Sequence, residues 1–139
     1  MADIREDKRE LDGQIRRIAG LLADVLPEGW TRAAAGYFLV GEDKSEQMQV
    51  VALAGDGEDF VDIMDASFDD FDLQDGVLEL QEEFGKLYRL CRAAGDSFTE
   101  ATLVLKRSGN FEMKFSYEPI HEYDNFFADD WKSSHLLQE

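Results

Sequence analysis

An α+β domain, with an antiparallel sheet of about four strands covered by helices, is the fold class this sequence predicts. Three observations carry that prediction. Two stretches repeat apolar residues at threes and fours, as one face of a helix requires. A third stretch alternates large apolar with polar residues on both sides of a Gly-Asn turn, as a half-buried hairpin requires. The chain has 139 residues, 44% hydrophobic and 12% aromatic, enough to bury one core. The expected order is helix-strand-strand-helix-strand-strand-helix, in a single domain spanning residues 1–139.

The first helix follows from Ile4, Leu11, Ile15, Ile18, Leu22 and Val25, which fall on one stripe and stop before Pro27; Gly13 and Gly20 weaken it. After the Pro27-Glu28-Gly29 turn, Trp30 to Val40 and Gln47 to Leu53 read as two strands joined by a polar loop over residues 41–45. The next segment sets Phe60, Val61, Ile63, Met64, Phe68, Phe71 and Leu73 among carboxylates. Part of it must pack, and it reads as loop with short turns. From about Leu73 to Ala94, Val77, Leu80, Phe84, Leu87, Tyr88 and Cys91 mark a second helix, with Gly95 as its stop. Thr99 to Lys106 and Phe111 to Tyr117 form the second hairpin about the Ser108-Gly109-Asn110 turn. The tail from His121 to Leu137 carries Tyr123, Phe126, Phe127 and Trp131 and reads as a loop leading into a short helix.

Charge gives the strongest functional signal. The chain holds 31 acidic against 14 basic residues, a net charge of −17, which argues against nucleic acid or an anionic membrane as a direct partner. From Ser45 to Gly85 there are thirteen acidic residues and no lysine or arginine. The densest part runs Asp56, Glu58, Asp59, Asp62, Asp65, Asp69, Asp70, Asp72 and Asp75. An acidic surface often serves only solubility. Concentration in one segment points further, because mutual repulsion there costs stability unless a partner offsets it.

Signs of chemistry are sparse. Two histidines, His121 and His135, have no cysteine or further histidine at ligand spacing, and no phosphate loop, dinucleotide fingerprint or nucleophile elbow occurs. The reading is therefore not an enzyme, with no cofactor and no metal. Asp70 to Gly76 resembles the start of an EF-hand loop but fails in register: from Asp70, the sixth position is Asp75 and the twelfth is Gln81, where glycine and a bidentate glutamate are needed. Weak calcium binding by clustered carboxylates stays open as an alternative. The single cysteine, Cys91, lies on the apolar face of the second helix and is expected to be a buried thiol. A charged start from Asp3 to Asp12, and no apolar run near the roughly 18 residues of a membrane span, predict a cytoplasmic protein.

Two pieces of sequence are similar to a known family. Leu26-Pro27-Glu28-Gly29-Trp30-Thr31 directly after the first helix, and the hairpin from Phe98 through Phe111-Glu112-Met113-Lys114-Phe115-Ser116-Tyr117 to Glu118, resemble the YezG-like family of bacterial immunity proteins, the antitoxin partners of polymorphic toxins. The order of helices and strands resembles that family over most of the chain, with Trp131-Lys132 matching its terminal aromatic. Phe98 stands where the family has tryptophan, and the aspartate-rich middle has no counterpart in the resemblance. Trp30, Phe111, Phe115 and Tyr117 are expected to be core residues of a covered sheet, markers of fold and not of a site.

The resemblance implies an immunity protein that binds and neutralises a cognate basic toxin. A nuclease is the expected toxin, since its surface must hold nucleic acid, and the expected contact is the acidic segment from Asp56 to Asp75. The alternatives are an acidic adaptor or chaperone that shields a basic protein without inhibiting it, and the weak calcium binder. The sequence leaves the oligomeric state open.

Overall fold

The apolar stripe of the first segment becomes helix α1, Ile4–Asp24, and that of the second becomes α3, Phe71–Ala93. The computed structural model describes residues 4–41, 44–54, 59–118 and 120. Between the helices run β1 (Trp30–Val40), β2 (Ser45–Ala54), β3 (Asp59–Asp62), the short helix α2 (Ile63–Ala66) and a single 3₁₀ turn, Ser67–Asp69. After α3 come β4 (Glu100–Lys106) and β5 (Phe111–Ser116). The strands form one open sheet in the order β3-β2-β1-β4-β5, every neighbouring pair antiparallel.

The α+β class stands, with one more strand than the expected layout. The sheet has five strands, because β3 arises inside the segment read as a loop. Four residues, two of them aspartate, carry too little β-propensity to declare a strand alone; pairing with β2, from Val51 opposite Asp62 to Ala54 opposite Asp59, makes it one. The expected short turns around it are present as α2 and the 3₁₀ turn. The expected C-terminal helix, between His121 and Leu137, lies outside the described residues.

Both helices pack on one sheet face. Ile18 and Leu22 of α1 and Val77, Leu80, Phe84, Leu87 and Cys91 of α3 meet Ala33, Ala35, Tyr37 and Leu39 of β1, Val50 and Ala52 of β2, and Ala101, Leu103 and Leu105 of β4. Alternate residues of the same strands, Ala34, Phe38, Val40, Val51, Leu53 and Val104, form a smaller cluster on the other face. Ile120 packs there, held by a parallel bridge to Val40 and by the Gly41 N–H, which donates to the Ile120 carbonyl at 2.7 Å. The central strand is thus buried on both sides, which accounts for its run of small residues from Ala33 to Gly36. Cys91 is buried as expected; burial, and then the nearby Asp96 carboxylate, push its thiol up to about 11, which leaves it unreactive at neutral pH.

The helix pair is locked by one buried carboxylate. Glu83 of α3 is 3% exposed and accepts hydrogen bonds from Gln14 Nε2 (2.7 Å), Arg17 Nε (3.0 Å) and Lys86 Nζ (3.2 Å), the first two reaching across from α1. Gln14 Nε2 also donates to the Glu83 backbone carbonyl at 2.8 Å. Burial alone would raise the Glu83 pKa, but the three donors overcome it and hold the group at about 2. Near its start, α3 approaches the end of α1 so closely that a Cβ at Gly76 would sit 2.7 Å from Val25 Cγ1. At its other end, the Asp96 N–H donates to the Cys91 carbonyl and the Gly95 N–H to that of Arg92. This is a Schellman stop, with Gly95 in the left-handed region at φ +85°.

The expected core role of four aromatics holds only in part. Trp30 and Phe115 pack against the main cluster as partly buried residues, whereas Phe111 is 40% and Tyr117 53% exposed. Strand β5 is a sheet edge and Tyr117 lies just past its end, where less of the helical layer covers a side chain. Tyr117 instead donates its hydroxyl to Asp96 Oδ2 at 3.1 Å.

Candidate functional site

The acidic segment folds into a ledge made from the ends of three short elements. Asp62 closes β3 and caps α2: its Oδ1 accepts from the Asp65 N–H at 3.1 Å, and its Oδ2 accepts from Gln49 Nε2 at 3.1 Å. Asp70 caps α3, its Oδ1 accepting from the N–H groups of Asp72 (3.1 Å) and Leu73 (3.2 Å). Asp65 lies in α2, Asp69 ends the 3₁₀ turn, and Asp72 lies in the first turn of α3. Aspartate at a helix start is stabilised by the unpaired N–H groups and the dipole there. The segment therefore tolerates its charge because the chain restarts helices through it, before any partner is present.

The sequence-predicted residues divide accordingly. Asp65, Asp69, Asp70, Asp72 and Asp75 are exposed, and Asp62 is partly covered. Asp59 is the first residue of β3, paired with Ala54. Asp56 and Glu58 lie outside the described residues. Asp62 and Asp70 hold backbone groups as well as offering charge, a second role that their position just before helical residues could have signalled.

The structure adds two aromatics from the apolar set of which the sequence reading expected only part to pack. Phe68 is 76% and Phe71 84% exposed, Phe68 followed by Asp69 and Phe71 set between Asp70 and Asp72, while Ile63 of the same segment is buried and Met64 and Leu73 pack against the core. Phe71, Asp75, Leu78 and Glu82 recur at four, three and four along α3, an outward stripe on which Leu78 is also 53% exposed. That spacing was the available signal: it sets Phe71 off the Val77-Leu80-Phe84-Leu87 face.

Beside the ledge, a groove of about 530 Å³ runs between the end of α1 and the start of α3. Leu21, Val25, Val61 and Ile63 contribute apolar walls, and Asp24, Asp70, Asp72 and Glu79 contribute carboxylates. An apolar slot with an acidic rim suits a side chain that is apolar along its stem and cationic at its tip, as lysine and arginine are. Among the described residues, no three His, Cys, Asp or Glu side chains gather as a metal ion would need.

The Leu26–Thr31 junction and the Phe98–Glu118 hairpin meet in space. The Arg107 guanidinium, from the β4–β5 turn, lies 5.3 Å from the centroid of the Trp30 ring and donates to the Trp30 carbonyl at 3.3 Å. The Arg107 N–H donates to the Thr31 carbonyl at 3.0 Å. No protein-family model matches the chain, and no curated protein matches its sequence. No helix among the described residues is long and apolar enough to cross a membrane.

Proposed function

We propose that this chain is an immunity protein: it binds a basic toxin, a nuclease, and neutralises it by covering the surface that holds nucleic acid. The observation that carries the reading is the pair Phe68 and Phe71, 76% and 84% exposed amid Asp65, Asp69, Asp70 and Asp72. Large exposed aromatics on a soluble chain mark a contact surface, and aromatic anchors within a charged surround are the usual division of labour in a protein interface.

The carboxylates supply long-range attraction and so raise the association rate, while the aromatics and the neighbouring groove supply the buried contact that slows dissociation. Inhibition needs no chemistry from the chain; occupying the substrate surface is enough. The family resemblance of Leu26 to Thr31 and Phe98 to Glu118 supports the toxin as the kind of partner, and the charge of −17 supports its being basic. Co-expression with the product of the neighbouring gene tests the reading. A stable complex, with toxic activity abolished at equal stoichiometry, is expected. A complex that leaves activity intact would instead identify a non-inhibitory adaptor, and no complex would remove the proposal.

A further inference from the structure

On the sheet face turned away from the helices, three cations gather with no ion-pair partner among the described residues. Arg32 of β1 and Lys106 of β4 stand directly opposite each other in the ladder, and Lys114 of β5 lies beside them, opposite Thr102. Together with Val104, Asn110 and Glu112 they line a concavity of about 330 Å³. Like charges placed directly across a ladder destabilise it. No ion pair or side-chain hydrogen bond engages Arg32, Lys106 or Lys114 among the described residues, not even with Glu112. The Arg32 Nε atom is fully buried and has no hydrogen-bond partner. In a chain with 31 carboxylates, three neighbouring cations on one sheet face go without an ion pair among the described residues.

We propose that this concavity is a binding site for a compact oxyanion of the phosphate class. Three neighbouring cations without a carboxylate paired to them repel one another until an anion enters, and a planar guanidinium beside two ammonium groups matches a tetrahedral oxyanion. Asn110, in the turn at the rim, offers a neutral donor, and Glu112 favours a ligand that also carries a hydroxyl. Three cations against one carboxylate leave a local excess of positive charge, enough for a small anion. The field of the whole molecule still repels a polyanion, which excludes nucleic acid from this face. The site stands apart from the acidic ledge and does not depend on the toxin reading.

The test uses the full chain. Inorganic phosphate and ribose 5-phosphate are titrated separately at constant ionic strength against sodium chloride, following the Arg32 Nε–H cross-peak by NMR. A saturable shift with phosphate and none with chloride is expected, weakened at least fivefold in Lys114→Gln, an exposed edge-strand change that leaves the fold intact. In Arg32→Gln, which lacks that reporter, the Lys106 backbone amide opposite it is followed instead and should show no saturable shift, and Lys44→Gln, in the β1–β2 turn, should leave the Arg32 response unaltered. Tighter binding of ribose 5-phosphate assigns the site to a phosphorylated small molecule, and tighter binding of phosphate assigns it to the free anion. Equal shifts with chloride, or equal affinities in the parent and Lys114→Gln, would overturn the proposal. So would an Arg32 signal that does not move with either phosphate.

Discussion

Replacing Glu83 with glutamine keeps the side-chain volume and removes the charge on which Gln14, Arg17 and Lys86 converge. A displacement from the ordinary 4.5 to about 2 corresponds to about 3 kcal/mol favouring the folded state. Arg17 and Lys86 are half exposed, and solvent screening there reduces the expected loss to about 2 kcal/mol. Because the folded pKa is depressed, this stability is fully present above pH 4.5 and is lost as pH falls towards 2; roughly half is gone by pH 3. Lowering the pH also relieves repulsion among the other carboxylates, so the informative quantity is the difference between the parent protein and Glu83→Gln. Urea unfolding at pH 7 and pH 3, at fixed salt, should show that difference narrowing from about 2 to about 1 kcal/mol. A difference that is zero at pH 7, or that does not change with pH, would refute the lock.

Three further outcomes follow from the geometry. Asp70→Ala removes the acceptor for two N–H groups at the start of α3 and should cost about 1 kcal/mol in urea unfolding, with Asp70→Asn within a few tenths of the parent. Gly76→Ala brings a Cβ to 2.7 Å from Val25 Cγ1, so it should destabilise by about 1–2 kcal/mol despite better helix propensity, with Val25→Ala in the same chain restoring part of the loss. Lysine at Asp65, Asp69 and Asp75 together, none of which caps a helix through its side chain, should slow association with the proposed basic partner about tenfold at low salt and flatten its salt dependence. Unfolding curves should stay unchanged in that triple variant, and an unchanged association rate would remove the ledge as the steering surface.

The helices and long strands were legible because their signals are local. The spacing of Ile15, Ile18 and Leu22, the Val77-Leu80-Phe84-Leu87 face, and the alternation of Phe111, Met113 and Phe115 each follow from the period of one element. Strand β3 was not legible, since Asp59 to Asp62 becomes a strand only by pairing with Val51 to Ala54. Of the candidate surface, the charge could be read directly, but the roles within it could not. Phe68 and Phe71 look like core residues in a list of apolar positions, and only the three-dimensional path shows Ile63 turned inward and both phenylalanines outward. The cations facing away from the helices were hidden for the same reason: Arg32, Lys106 and Lys114 are 74 and 8 positions apart in the chain and become neighbours only through the β1–β4 and β4–β5 ladders.

The most direct test of the central claim is the dissociation constant for the proposed basic toxin, the product of the neighbouring gene, measured for the parent protein and for the Phe68→Ala, Phe71→Ala double variant. Two exposed anchors at about 1–2 kcal/mol each predict a loss of at least about thirtyfold, carried mainly by faster dissociation, with unfolding stability unchanged. Equal affinity in the two proteins, or no binding by either, would contradict the account.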